Sequence, residues 1–131
     1  MIRPLLPALI LLTQLFSPAA FQGDIVDTIS ALFKSANSKE ISKNFAPSVE
    51  LKINEDEDVY SKAQAEQILR DFFNKTSPYN STVVHLINTN PNYRFGVLSL
   101  VTKSGKFRAA VTLKKTANTF FITELRIEPE K

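Results

Sequence analysis

Hydrophobic and polar positions alternate most regularly between Tyr93 and Ile127, and this stretch predicts three consecutive β-strands. In Arg94 to Thr102 both alternating sets are apolar, with Phe95, Val97 and Val101 on one face and Leu98 and Leu100 on the other. A strand of this kind is covered on both sides. After a Ser104-Gly105 turn, Phe107, Ala109, Val111 and Leu113 alternate with Arg108, Ala110, Thr112 and Lys114, the pattern of a half-buried strand. A second turn through Thr116, Ala117 and Asn118 leads into Thr119 to Glu128. There Phe121, Leu125 and Ile127 oppose Phe120, Ile122, Glu124 and Arg126. Short connections of this type make an antiparallel meander.

Upstream the period changes. Ile25, Val26, Ile29, Leu32, Phe33 and Ala36 form one helical stripe behind Asp24, a natural N-cap. A short helix through Ile41 and Phe45 follows, and Pro47 is expected to stop it. Val49, Leu51 and Ile53 alternate with Glu50, Lys52 and Asn54 as a first strand, and the acidic run Glu55 to Asp58 reads as a turn. Ser61 and Gln64 form a capping box ahead of Ala65, Ile68, Leu69, Phe72 and Phe73 at helical spacing. Asn74 to Asn80 is an exit loop, Ser81 to Asn88 a further strand, and Asn90-Pro91-Asn92 a turn back into the meander.

Composition narrows the class. The chain has 131 residues, 44% hydrophobic and 22% charged, which suits one globular domain. A net charge of +3, scattered and not blocked, gives nucleic-acid binding no support. Cysteine is absent, so disulfides, thiolate metal sites and cysteine nucleophiles are excluded. Residues 1–19 read as a secretory signal peptide. Arg3 precedes an apolar run from Leu5 to Phe16, and Ser17-Pro18-Ala19-Ala20 supplies small residues for cleavage after Ala19. The run falls short of the ~20 residues that span a bilayer. Residues 20–131 are therefore expected as a single domain, exported to the periplasm or medium of a bacterium, with no stable membrane anchor after cleavage.

The order of helix, short helix, strand, brief extended piece, capped helix and four long strands resembles the nuclear-transport-factor-two-like superfamily, also called the cystatin-like or cone fold. The resemblance spans Asp24 to Glu128. It implies an α+β fold in which a strongly curved antiparallel sheet wraps an N-terminal helix pair and a third helix, leaving a cavity. The segments Ile25 to Ser48 and Tyr60 to Phe73 also resemble a bacterial family of small exported proteins of unknown function. Some relatives are isomerases, dehydratases or epoxide hydrolases. Laid over Phe45-Ala46, the isomerase pattern places Ile53 at the general-base aspartate and Ile29 or Ser30 at the oxyanion-stabilising tyrosine. A hydrocarbon takes no proton.

Candidate sites follow from these placements. No catalytic, cofactor-binding or metal-ligating residue is assigned. His85, the single histidine, has no evident carboxylate partner. Asn54, Asp56 and Asp58 match part of a calcium loop, but Val59 stands where such loops need glycine and Ala65 where they need the closing glutamate. Phe33, Phe45, Tyr60, Phe73 and His85 are candidate pocket-lining residues. Leu98, Leu100, Ala110, Phe120 and Ile122 form a second apolar face on the meander that one helical layer leaves uncovered, and such a patch meets a partner. The expectation is a small exported non-catalytic binding or interaction module, homodimeric through its sheet, taking a small apolar ligand or an envelope protein. The alternative is an enzyme with an unrecognised site in the cone cavity.

Overall fold

The computed structural model describes residues 23–131, and the expected signal segment, residues 1–19, lies outside them. Helix α1 (Ile25–Lys34) is opened by a reciprocal capping box. The Asp24 carboxylate accepts from the Val26 N–H at 3.1 Å, and the Asp27 carboxylate accepts from the Asp24 N–H at 3.0 Å. A short α2 (Ser38–Ser42) leads into β1 (Phe45–Ile53) and β2 (Asp56–Ser61). Helix α3 (Lys62–Thr76) starts at the expected box, with Ser61 Oγ accepting from the Gln64 N–H and Gln64 Oε1 from the Ser61 N–H. It ends where Ser77 enters the left-handed region at φ 53°. Strands β3 (Pro78–Ile87), β4 (Tyr93–Thr102), β5 (Gly105–Thr116) and β6 (Thr119–Pro129) complete the chain.

The six strands form one open sheet in the order β2-β1-β6-β5-β4-β3. Every neighbouring pair is antiparallel except β1 with β6, which is parallel. The sheet curls around the helices, with α1 against β3 and β4 and α3 against β1 and β2. The inner face carries the core: Val49 and Leu51 from β1, Leu98 and Leu100 from β4, Ala109, Val111 and Leu113 from β5, and Ile122, Leu125 and Ile127 from β6.

This placement corrects the expected partner face. Leu98, Leu100 and Ile122 are fully buried beneath the helices, and Phe120 packs against the same core. Only Ala110 of the five lies on the outer face, half-buried. Two causes are visible. Gly96 shares the face of Leu98 and Leu100, and a Cβ there would stand 2.5 Å from Val26 Cγ1, so the missing side chain is what lets α1 descend onto that face. In β6 the register shifts, with Leu113 opposite Ile122 but Thr112 opposite Glu124. The extra residue, Thr123, puts Ile122 on the same face as Leu125 and Ile127, where strict alternation separates them.

The close approach at Gly96 has a measurable consequence. Gly96→Ala is expected to lower stability by about 1–3 kcal/mol, because fully buried Val26 has nowhere to retreat. Urea denaturation of Gly96→Ala, and of Gly96→Ala with Val26→Ala, checks this. The second substitution should recover part of the loss, and a Gly96→Ala variant as stable as the parent would contradict the packing described.

Pro47 also acts differently from expectation. It ends no helix, since α2 closes at Ser42, and it lies within β1. From Phe45 to Glu50 the strand advances five positions while its partner advances two, from Ile122 to Glu124. The surplus arcs away from β6 around Pro47, which has no N–H to offer a ladder.

Candidate functional site

The arc of β1 opens a hollow at the split from β6. Its walls are Phe45, Ala46 and Pro47 from β1, Ser61, Lys62 and Ala63 from the start of α3, and Lys114, Thr116, Phe121 and Thr123 from the β5–β6 hairpin. The volume is about 590 Å³. Buried Phe45 forms the floor. Lys114 and Phe121 pair across the hairpin on the outer face, one position along from the buried Leu113–Ile122 pair. Among the described residues the two lysines are the only charged side chains in the lining, and neither has a carboxylate within salt-bridge distance.

A second cleft of about 520 Å³ lies between the β1–β2 hairpin and α3. Leu51, Ile53, Tyr60, Ile68 and Phe72 supply its apolar side, and Asp56, Glu57, Asp58, Asp71 and Lys75 its charge. All five charged residues are exposed. Among the described residues no group of three or more His, Asp or Glu side chains is placed to hold a metal ion. Ile53, laid over the isomerases' general base, does line this cleft. The other two positions have structural roles: Ile29 is fully buried, and Ser30 Oγ is hydrogen-bonded to Ser81 Oγ at 2.7 Å, tying α1 to β3.

The expected pocket-lining residues therefore do not form one pocket. Phe45 belongs to the hollow and Tyr60 to the cleft. Phe33 and Phe73 fill the core, edge to face with ring centroids 5.6 Å apart. His85 pairs with Val97 in the ladder and is exposed on the outer face, its ring 6.5 Å from that of Phe95. It lines neither cavity because β3 shifts register between Val83 and His85: the extra residue, Val84, turns His85 outward while Val83 and Leu86 still pack on the core. Lysines 62 and 114 carried no local signal of a site, since the hollow is made by a register shift between strands far apart in sequence.

The outer face is divided electrostatically. On the β1–β6 side Lys52 Nζ donates to Glu128 at 2.7 Å, and the bond with its charge holds the Glu128 carboxyl below the usual carboxylate range. Arg126 bridges Glu57 and Glu124, whose hydrogen bonds raise its guanidinium further still. Arg108 pairs with Glu130. Arg94, placed by its strand register beside the core, donates instead to the Asp24 cap at 2.7 Å and lies 4.7 Å over the Phe120 ring. On the β3–β5 side the outer face carries an apolar patch, with Phe95, Val97, Val101 and Ala110 half-buried and Ile87 41% exposed, interspersed with His85, Thr82, Ser99, Arg108 and Thr112.

An open, curved sheet closed over three helices, with the first strand inserted between the β2 edge and the last strand, defines the nuclear-transport-factor-two-like cone fold. Within that class the chain belongs to the family described as Domain of unknown function (DUF4783), whose model matches residues 26–128. Crystal structures of two DUF4783 family proteins are similar to it. The protein from Bacteroides ovatus is 27% identical, with 79% of this chain and 93% of that one covered at a TM-score of 0.74. The protein from Bacteroides uniformis is 25% identical, with 82% and 99% covered at a TM-score of 0.78. A de novo designed protein with a curved β-sheet, 15% identical, shares the fold over 79% of this chain and 95% of its own, at a TM-score of 0.66. No curated protein matches the chain.

Proposed function

We propose that this chain is a small exported binding module that performs no chemistry of its own and pairs with a second copy through the outer face of its sheet. The observation that carries this reading is the apolar patch on the β3–β5 half of that face, where Phe95, Val97, Val101, Ala110 and Ile87 lie on the side of the sheet away from the helices. On the other half Lys52, Arg126, Glu57, Glu124 and Glu128 pair with one another, so the apolar patch is the part with most binding capacity left over. Export rests on the residue pattern of positions 1–19. The non-catalytic reading rests on Ile53, Ile29 and Ser30, which supply neither the base nor the phenol that the catalytic relatives use.

Light scattering on residues 20–131 tests the pairing. The parent is expected to be a dimer, and Phe95→Glu with Val97→Glu a folded monomer, because half-exposed positions let a carboxylate reach water in the separated chain. A parent that stays monomeric at high concentration would remove the homodimer from the proposal.

A further inference from the structure

We infer that the hollow at the β1–β6 split binds a single-chain amphipathic anion, an aliphatic carboxylate taken up as a free monomer with its tail over Phe45 and Phe121 and its head between Lys62 and Lys114. The inference deepens the binding-module reading and rests on it. A volume of about 590 Å³ lies within the range of small-ligand sites, roughly 300–1,000 Å³. Walls of phenylalanine, alanine and proline give an apolar tail a surface to leave water against.

Charge selects the head. Both charged side chains in the lining are cationic, and among the described residues no carboxylate neutralises either within salt-bridge distance. Lysine presents a compact point charge without the planar fork of arginine, so two lysines suit one anionic group at the mouth of a hollow and do not demand a bidentate partner. The concave shape suits a monomer better than the flat surface of a bilayer. The acid-lined cleft between the β1–β2 hairpin and α3 has the opposite sign and would repel such a head.

The test is a two-dimensional amide NMR titration of residues 20–131 with decanoate, decan-1-ol and decyltrimethylammonium. Decanoate should shift the amides of Ala46, Ser61, Thr116 and Thr123 saturably and bind more tightly than the alcohol, with the ammonium weakest. Lys62→Glu with Lys114→Glu should weaken decanoate about tenfold and leave the alcohol unchanged. Both lysines are exposed, and a glutamate at the first position of α3 favours the helix, so this variant stays folded. Ala63→Trp, also at an exposed position, should fill the hollow and abolish both.

Three results would overturn the inference: decanoate shifts confined to other amides, equal affinity for the acid and the alcohol, or retention on phosphatidylglycerol vesicles with no response to free decanoate. None bears on the dimer, which light scattering decides separately. A monomeric parent that still binds decanoate at the hollow would retain this site while removing the homodimer.

Discussion

Leu98→Glu is expected to unfold the protein, whereas Val97→Glu, one residue away, leaves it folded. Leu98 is fully buried between Val83 of β3 and Ala109 of β5, under α1. The cation on that face nearest along the strand, Arg94, is already committed to Asp24. An unpaired carboxylate there loses its hydration and gains no partner, a cost of several kcal/mol against a domain stability of about 5–15 kcal/mol. Val97 points the other way and is half-buried. Circular dichroism melts of the two variants read the difference directly. A stable Leu98→Glu beside an unfolded Val97→Glu would mean that the faces of the sheet are reversed, since one residue of register exchanges them.

Phe33→Ala is expected to cost about 3–5 kcal/mol. Its ring is fully buried and meets Phe73 edge-on, Phe73 tilts against Phe72 at 5.9 Å, and Phe72 meets Phe107 edge-on at 5.1 Å. The four rings run from α1 through α3 to β5. Truncating the first removes its own burial and leaves Phe73 facing a void. In a double-mutant cycle of Phe33→Ala with Phe73→Ala, the coupling should be about 0.5–1.5 kcal/mol beyond the sum of independent losses. Urea unfolding of the four proteins supplies both figures. A Phe33→Ala loss under about 1 kcal/mol would be too small for a fully buried ring, and would mean that the site collapses freely.

The elements of this fold are written locally, and its faces are not. Asp24 and Ser61 announce their helices because a capping side chain acts within three residues of itself. The alternation in β4 and β5 likewise identifies two apolar sets, but it does not say which set the helices cover. Gly96 held that information, since only the face lacking a Cβ can accept a helix at such close range. The bulge at Thr123 left no comparable mark, because it depends on how β6 meets β5 and on nothing within β6. Pro47 was visible as a breaker, yet whether it ends a helix or arcs a strand is decided by Ile122 and Glu124, more than 70 positions away. The hollow inherits that property: its lining comes from three separate stretches, and no window of the chain contains it.

The parallel pairing of β1 with β6 bears on when the molecule can fold. Phe45–Ile53 pairs on one side with the neighbouring β2 but finds its parallel partner in residues 122–127, so that edge of the first strand waits for β6. Until then β1 can form only the β1–β2 hairpin, with α3 packed against it, and two strands alone are marginal in water. Contacts of such high sequence separation form late and slow the reaction. A chain emerging from the ribosome therefore cannot close β1 into the sheet until residues 122–127 have been made.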